Sequence, residues 1–321
     1  VLAALLYFKS AKYMGLFVQS KYGICTGNFF SGWMKDILKF NGIATTADLE
    51  NSMKQHQELV RLRTERQAEH HKEDHKPVAG SNIILIASDI TNQRKVEFPA
   101  MAKYYWDNPE EASPADFVRA SMAIPIFFEP FIRQVTRPPQ TEEEKLILQN
   151  IPPHTGPGNP FEVRFVDGGI LSNFPINVFH NPNIPIARLP TFGVKLEDED
   201  HEDPAKPATL KKTLFSYLGN IFSTIRFYYD RDFLLKNQLY QRTIGHVDVS
   251  GFNWLNFFLN EEEKVAMFKK GAEAAAIFFT GGTVWVDGKP RTYEAYNWET
   301  YKQLRAEVVK VERKEAENSL F

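Results

Sequence analysis

The chain holds a single cysteine, Cys25, which excludes an intramolecular disulfide and any cysteine-based zinc site. One thiol is compatible with a reducing compartment, and Cys25 is expected to act as a small apolar filler. Charge of neither sign dominates. The 38 lysines and arginines nearly match the 40 aspartates and glutamates, for a formal charge of −2, so there is no basic field to draw nucleic acid over distance. No apolar run reaches the ~18 to 20 residues that span a bilayer. The longest candidates are VLAALLYF at the start and AAAIFF near residue 275. The chain is therefore expected to be soluble or peripheral, with a cytoplasmic or membrane-peripheral location. Its first apolar run has no charged segment ahead of it, which argues against a signal peptide. FFTGGTVWVDG lacks the Gly-Lys-Ser/Thr of a phosphate loop, and the acidic run EDEDHED, Glu197 to Asp203, lacks the glycine and spacing of an EF-hand. That run reads as a flexible linker, and no metal or organic cofactor is expected.

What is present is an alternation of strands and helices, which argues for an α/β fold with a mostly parallel sheet. Val1 to about Ser20 reads as a helix. In GNFFSGWMKDILKFNG, Phe30, Trp33, Met34, Ile37 and Leu38 share one helical face, and Gly42 stops the helix. A further helix begins near Ala47 and runs into a highly polar stretch, so that about 50–77 reads as a solvated insertion. Within it His71 and His75 lie one helical turn apart beside Glu73 and Asp74; a solvated charged helix explains them better than a metal site. NIILIASDI is almost wholly apolar, the pattern of a strand covered on both faces in a parallel sheet, and RKVEFP alternates like an edge strand. Ser113, Pro114 and Asp116 mark a helix start, and Pro125 ends that helix. The proline-rich stretch of about 137–160 reads as a surface excursion around the short helix TEEEKLILQN. EVRFVDGG, PTFGVKL and RTIGHVDVS are further strands. Asn260 caps a helix with Glu261, Glu262 and Glu263 in its first turn. A hairpin on Asp287-Gly288 and a charged terminal helix complete the chain, setting 281–321 apart from 1–280.

The stretch FVDGGILSNFP places Asp167 where a buried strand ends and follows it with Gly168 and Gly169. Two glycines allow a sharp turn with positive φ that would expose the carboxylate at the sheet edge, where open parallel sheets bind ligands. Asp-Gly is also ordinary turn chemistry, so on this pattern alone a structural turn is the better reading.

Other segments change that balance. VDGGILSNFPI resembles the aspartate motif of the patatin-like phospholipases, and VRASMAIPIFFEP, Val118 to Pro130, resembles the segment upstream of it, with Pro125 in its Ala-Ile-Pro core. ASDITNQRKVEFP and GFNWLNFFLNEEEKVAMFKKG are similar to further segments of bacterial members. The resemblance implies a three-layer α/β/α fold and a serine acyl hydrolase working through a Ser-Asp dyad. Asp167 would be the proton acceptor, supported by Gly168, Gly169 and Pro125. Such a dyad draws on a serine in Gly-x-Ser-x-Gly and a glycine-rich oxyanion loop. Neither occurs in the 321 residues. VLAALLYFKSAKYMG resembles the helix that follows the nucleophile, so the expectation is a chain lacking its first strand or strands, with the serine upstream of Val1. Such a chain would be inactive alone, and its open strand edge would favour aggregation. Ser10, Ser20, Ser31, Ser121 and Ser172 stand in no elbow context and read as structural serines.

The implied activity is that of a lipid acyl hydrolase cleaving carboxylic esters of a phospholipid or acylglycerol. The alternatives are a non-catalytic lipid-binding or regulatory protein of the same fold and an acyltransferase. Leu214 to Tyr229 mixes aromatics with one basic residue and reads first as a core helix, second as a lid or interfacial helix meeting lipid through Phe215, Leu218, Phe222 and Ile225.

Overall fold

The computed structural model describes residues 21–55, 83–179, 190–197, 234, 242–252, 258–286 and 289–318. The expected helices of 1–20 and Leu214–Tyr229, most of the polar insertion with His71 and His75, the residues after Glu197 in the acidic run, and the Asp287-Gly288 turn lie outside them. The fold is α/β, and it divides into two compact units, Val1–Asn173 and Phe174–Phe321.

In the first unit, four strands form an antiparallel sheet in the order β3 (Arg94–Phe98), β2 (Leu85–Asp89), β6 (Phe161–Asp167), β5 (Phe131–Val135). A parallel pair, β1 (Gly23–Cys25) with β4 (Ile126–Phe128), stands apart from it. The apolar composition of β2 does mark a buried strand, but its pairing corrects the parallel expectation: both its neighbours run antiparallel to it. An apolar run reports burial on two faces; strand direction depends on the connection, and the short Ile90–Gln93 turn into β3 can only return the chain antiparallel. β3 is the edge strand that its alternation predicts.

One face of this sheet carries an aromatic core. Phe98 stacks on Phe117 at 4.7 Å, and Tyr105 meets Phe165 edge-on at 4.9 Å. Trp106 closes the cluster edge-to-face against Phe98 and Phe117, a geometry that ring quadrupoles favour. Phe117 comes from the Pro114–Ser121 helix, which starts at Ser113 as predicted, although the Ser113 hydroxyl makes no capping bond. The proline-rich stretch differs from a surface excursion. Its helix, Glu142–Ile147, is capped by Thr141 in a reciprocal capping box with Glu144, and Leu148 and Ile151 beyond it are buried in the same core. The helix Asn28–Phe40 also forms where expected, and Gly42 beyond its end has φ +76°, but none of its residues is buried; Phe29 and Phe40 are each 90% exposed. Cys25 is likewise exposed rather than a filler.

The second unit holds the parallel pair β7 (Gly193–Glu197) and β8 (Ile244–Asp248), the helix Glu261–Thr280, the hairpin β9 (Gly282–Val286) with β10 (Lys289–Tyr293), and the helix Trp298–Asn318. The Asn260 side chain and Glu263 form the second capping box. Among the described residues, no helix is long and apolar enough to cross a membrane.

Candidate active site

Asp167 is the last residue of β6 and the N-cap of a single 3-10 turn, Gly168–Ile170. Three bonds fix it. Its backbone N–H donates to the Ala123 carbonyl at 3.0 Å, its own carbonyl accepts from the Ser88 hydroxyl at 3.0 Å, and its Oδ1 accepts from the Gly169 N–H at 2.6 Å. The side chain is partly buried, and its rotamer is held by the turn that it caps.

The glycines act differently from the expectation of positive φ. Neither Gly168 nor Gly169 is in the left-handed region. Gly168 is required for close approach: a Cβ there would lie 2.0 Å from the Ile86 carbonyl oxygen on β2. At Gly169 a Cβ would meet Asn173 Oδ1 at 2.8 Å and Asp167 Oδ1 at 2.9 Å. The first glycine lets the turn sit on β2, and the second leaves room for the carboxylate. The Asn173 side chain lies against this turn. Ser172, the serine nearest in sequence, is buried and its N–H donates to the Gly168 carbonyl, so it belongs to the turn. Ser121 ends the Pro114–Ser121 helix, Ser31 lies in the exposed Asn28–Phe40 helix, and Ser10 and Ser20 fall outside the described residues.

The Asp167–Ala123 bond joins the two segments that the sequence reading paired, since Ala123 immediately precedes Ile124-Pro125. After Pro125, Ile126 has φ +76°, a strained conformation for a β-branched residue, and it pairs with Gly23 across β1–β4. Arg119, buried and without a role in the sequence reading, bridges the same region: one guanidinium nitrogen donates to both the Thr26 and Glu129 carbonyls at 2.7 Å. The family's aspartate strip and its Ala-Ile-Pro strip therefore meet in space. The Patatin-like phospholipase family model matches residues 5–180, more than half of the chain. The chain belongs to the patatin-like phospholipase family. It is also 25% identical, over 258 residues, to the uncharacterized protein YqhO of Bacillus subtilis (strain 168), covering 80% of this chain and 68% of that protein.

Two further carboxylates sit in built environments. Asp89, at the end of β2, accepts from the Thr91 and Asn92 backbone N–H groups, the Asn92 side chain and the Tyr105 hydroxyl. Burial pushes its carboxyl pKa up, and the bonds from Asn92 and Tyr105 only partly oppose this. It is a turn-forming group that closes β2 onto β3, and it lies two residues beyond the Ala87 position that pairs with Asp167. Glu197 corrects the acidic-linker reading. It is buried at the end of β7, its Oε1 shared by Lys195 Nζ at 2.9 Å and His246 Nδ1 at 2.7 Å. Burial opposes its charge, but the bonds from His246 and Lys195 outweigh that and hold its carboxyl below the ordinary value. The alternation of PTFGVKL gave no signal for this, because in β7 the apolar Val194 and Leu196 are the exposed residues and Glu197 lies on the opposite, inward face.

Proposed function

We propose that this chain supplies the aspartate half of a lipid acyl hydrolase, with Asp167 as the general base. In this reading a serine hydroxyl attacks the carbonyl carbon of a phospholipid or acylglycerol ester while Asp167 takes its proton. Asp167 then returns the proton to the departing alcohol, and water activated the same way releases the fatty acid. The observation that carries the proposal is the junction itself: the Asp167 backbone bonded to Ala123, with its carboxylate locked by Gly169 N–H. A base must be held in one rotamer to meet a proton in flight, and the turn does this. The natural partner on this reading is a lipid aggregate or membrane surface, met from a cytoplasmic or membrane-peripheral position.

The second reading is a non-catalytic lipid-binding or regulatory protein of the same fold. One experiment separates them. Fluorogenic phospholipid and monoacyl ester substrates are offered to the protein expressed from its complete reading frame, with and without Asp167→Asn. The hydrolase reading expects turnover in the parent, its loss by a factor of about 10² or more in the variant, and an unchanged melting curve. Turnover retained by Asp167→Asn would remove Asp167 from the chemistry. A parent that binds phospholipid vesicles with no turnover would establish the non-catalytic reading.

A further inference from the structure

Ile126 holds a backbone conformation that suits glycine. Its φ of +76° lies in the left-handed region, where the Cβ of an L-residue crowds the following carbonyl and a β-branched side chain fits worst. The surroundings impose that conformation. Pro125 ahead of it has its φ fixed by the ring, the Phe128 N–H donates to the Ile124 carbonyl at 2.9 Å and closes the turn, and Ile126 itself pairs with Gly23. The far end is pinned as well: the Glu129 N–H donates to the Cys25 carbonyl at 2.9 Å, and the Glu129 carbonyl accepts from Arg119. None of these bonds uses the Ile126 side chain, so glycine would keep them all without strain.

Burial does not explain the choice either. Ile126 is 57% exposed, so its side chain fills no core. Strain kept for a side chain that the fold does not use points to a contact made outside the fold. Position supplies that contact. The Ala123 carbonyl holds the Asp167 N–H, and Ile126 lies three residues further on, a stretch of chain that reaches about 11 Å at most. The Ile126 side chain is therefore within the span of a medium-length acyl chain leading away from an ester at Asp167. An acetyl group has no chain with which to make the contact.

We propose that Ile126 is a specificity-determining residue, its side chain meeting the acyl chain of the ester that Asp167 serves and setting a preference for medium over short chains. The proposal rests on the hydrolase reading of Asp167.

The test is an assay of the protein expressed from its complete reading frame, with Ile126→Gly, Ile126→Asn and Ile126→Val, on p-nitrophenyl octanoate and p-nitrophenyl acetate, which share one leaving group. The parent is expected to prefer octanoate. The octanoate-to-acetate ratio of kcat/KM should fall about ten-fold in Ile126→Gly and Ile126→Asn, and should stay within about two-fold in Ile126→Val, which keeps an apolar branched side chain. Glycine and asparagine both tolerate left-handed backbone, so these two variants should melt no lower than the parent. An unchanged ratio in Ile126→Gly overturns the proposal. So does a melting temperature lowered by that substitution, which would make Ile126 a packing residue. The two readings fail separately: a parent that turns over neither ester refutes the hydrolase reading and this proposal with it, whereas an active parent with an unchanged ratio in the variants refutes this proposal alone.

Discussion

Replacing Gly168 with alanine tests whether the turn after Asp167 is built on close approach or on backbone freedom. The added Cβ would lie 2.0 Å from the Ile86 carbonyl oxygen and 2.5 Å from its carbon. Ordinary non-bonded contact is about 3.5 Å, so the methyl intrudes by roughly 1.5 Å on backbone atoms. Ile86 cannot retreat easily, because β2 is paired on both sides, to β3 and to β6. The cost therefore falls at the upper end of overpacking, about 3 kcal/mol. For a unit of this size that lowers the melting temperature by roughly 6–12 °C. Gly169→Ala is the internal control. Its Cβ would meet only the tips of Asn173 and Asp167, which can rotate away, so stability should fall by about 1 kcal/mol or less. The price is paid in geometry, because the displaced group is the carboxylate itself. Urea denaturation of both variants, followed by far-UV circular dichroism, gives the comparison directly. A Gly168→Ala midpoint within about 0.5 kcal/mol of the parent, or a Gly169→Ala loss larger than the Gly168→Ala loss, would refute the close-approach argument.

Arg119→Met should destabilise the first unit by about 2 kcal/mol, because it leaves the Thr26 and Glu129 carbonyls without the donor they share; a denaturation midpoint equal to the parent's would make the bridge incidental. Glu144→Gln should cost about 1–2 kcal/mol at neutral pH, since Glu144 pairs with Arg137 and accepts from the Gln140 and Thr141 N–H groups. The bond from Arg137 holds the Glu144 pKa near about 2, below its ordinary 4.5, so this contribution is full above pH 4.5 and is lost as the pH falls towards 2. Parent and variant melting curves should therefore converge across that window, and a gap that stayed constant down to pH 2 would contradict the assignment.

Much of the frame was legible in the sequence. The capping boxes at Thr141 and Asn260, the proline-led helix at Pro114 and the strand ending at Asp167 all follow from local chemistry, since each cap satisfies donors within three residues. The candidate site was legible as residues, through the resemblance of two segments, but not as a junction. Nothing in the order of residues states that the Asp167 N–H reaches the Ala123 carbonyl, or that Ser88 supports the same strand end. Arg119 left no signal either: a basic residue in the last turn of a helix is ordinary, and only burial between two carbonyls distinguishes it.

The sequence by itself determined where strands and helices begin, which face each is able to bury, and that a carboxylate followed by two glycines would end a buried strand. Such features are set by interactions over a few residues, so they survive any choice of tertiary partner. Only the tertiary structure decided that β2 runs antiparallel to both neighbours, that Gly168 is small because Ile86 lies against it, and that Leu148 and Ile151 join the aromatic core. It likewise decided that Glu197 is buried between Lys195 and His246. These depend on which distant segments meet, and the same aspartate, glycine or glutamate serves a loop or a core according to what lies across from it.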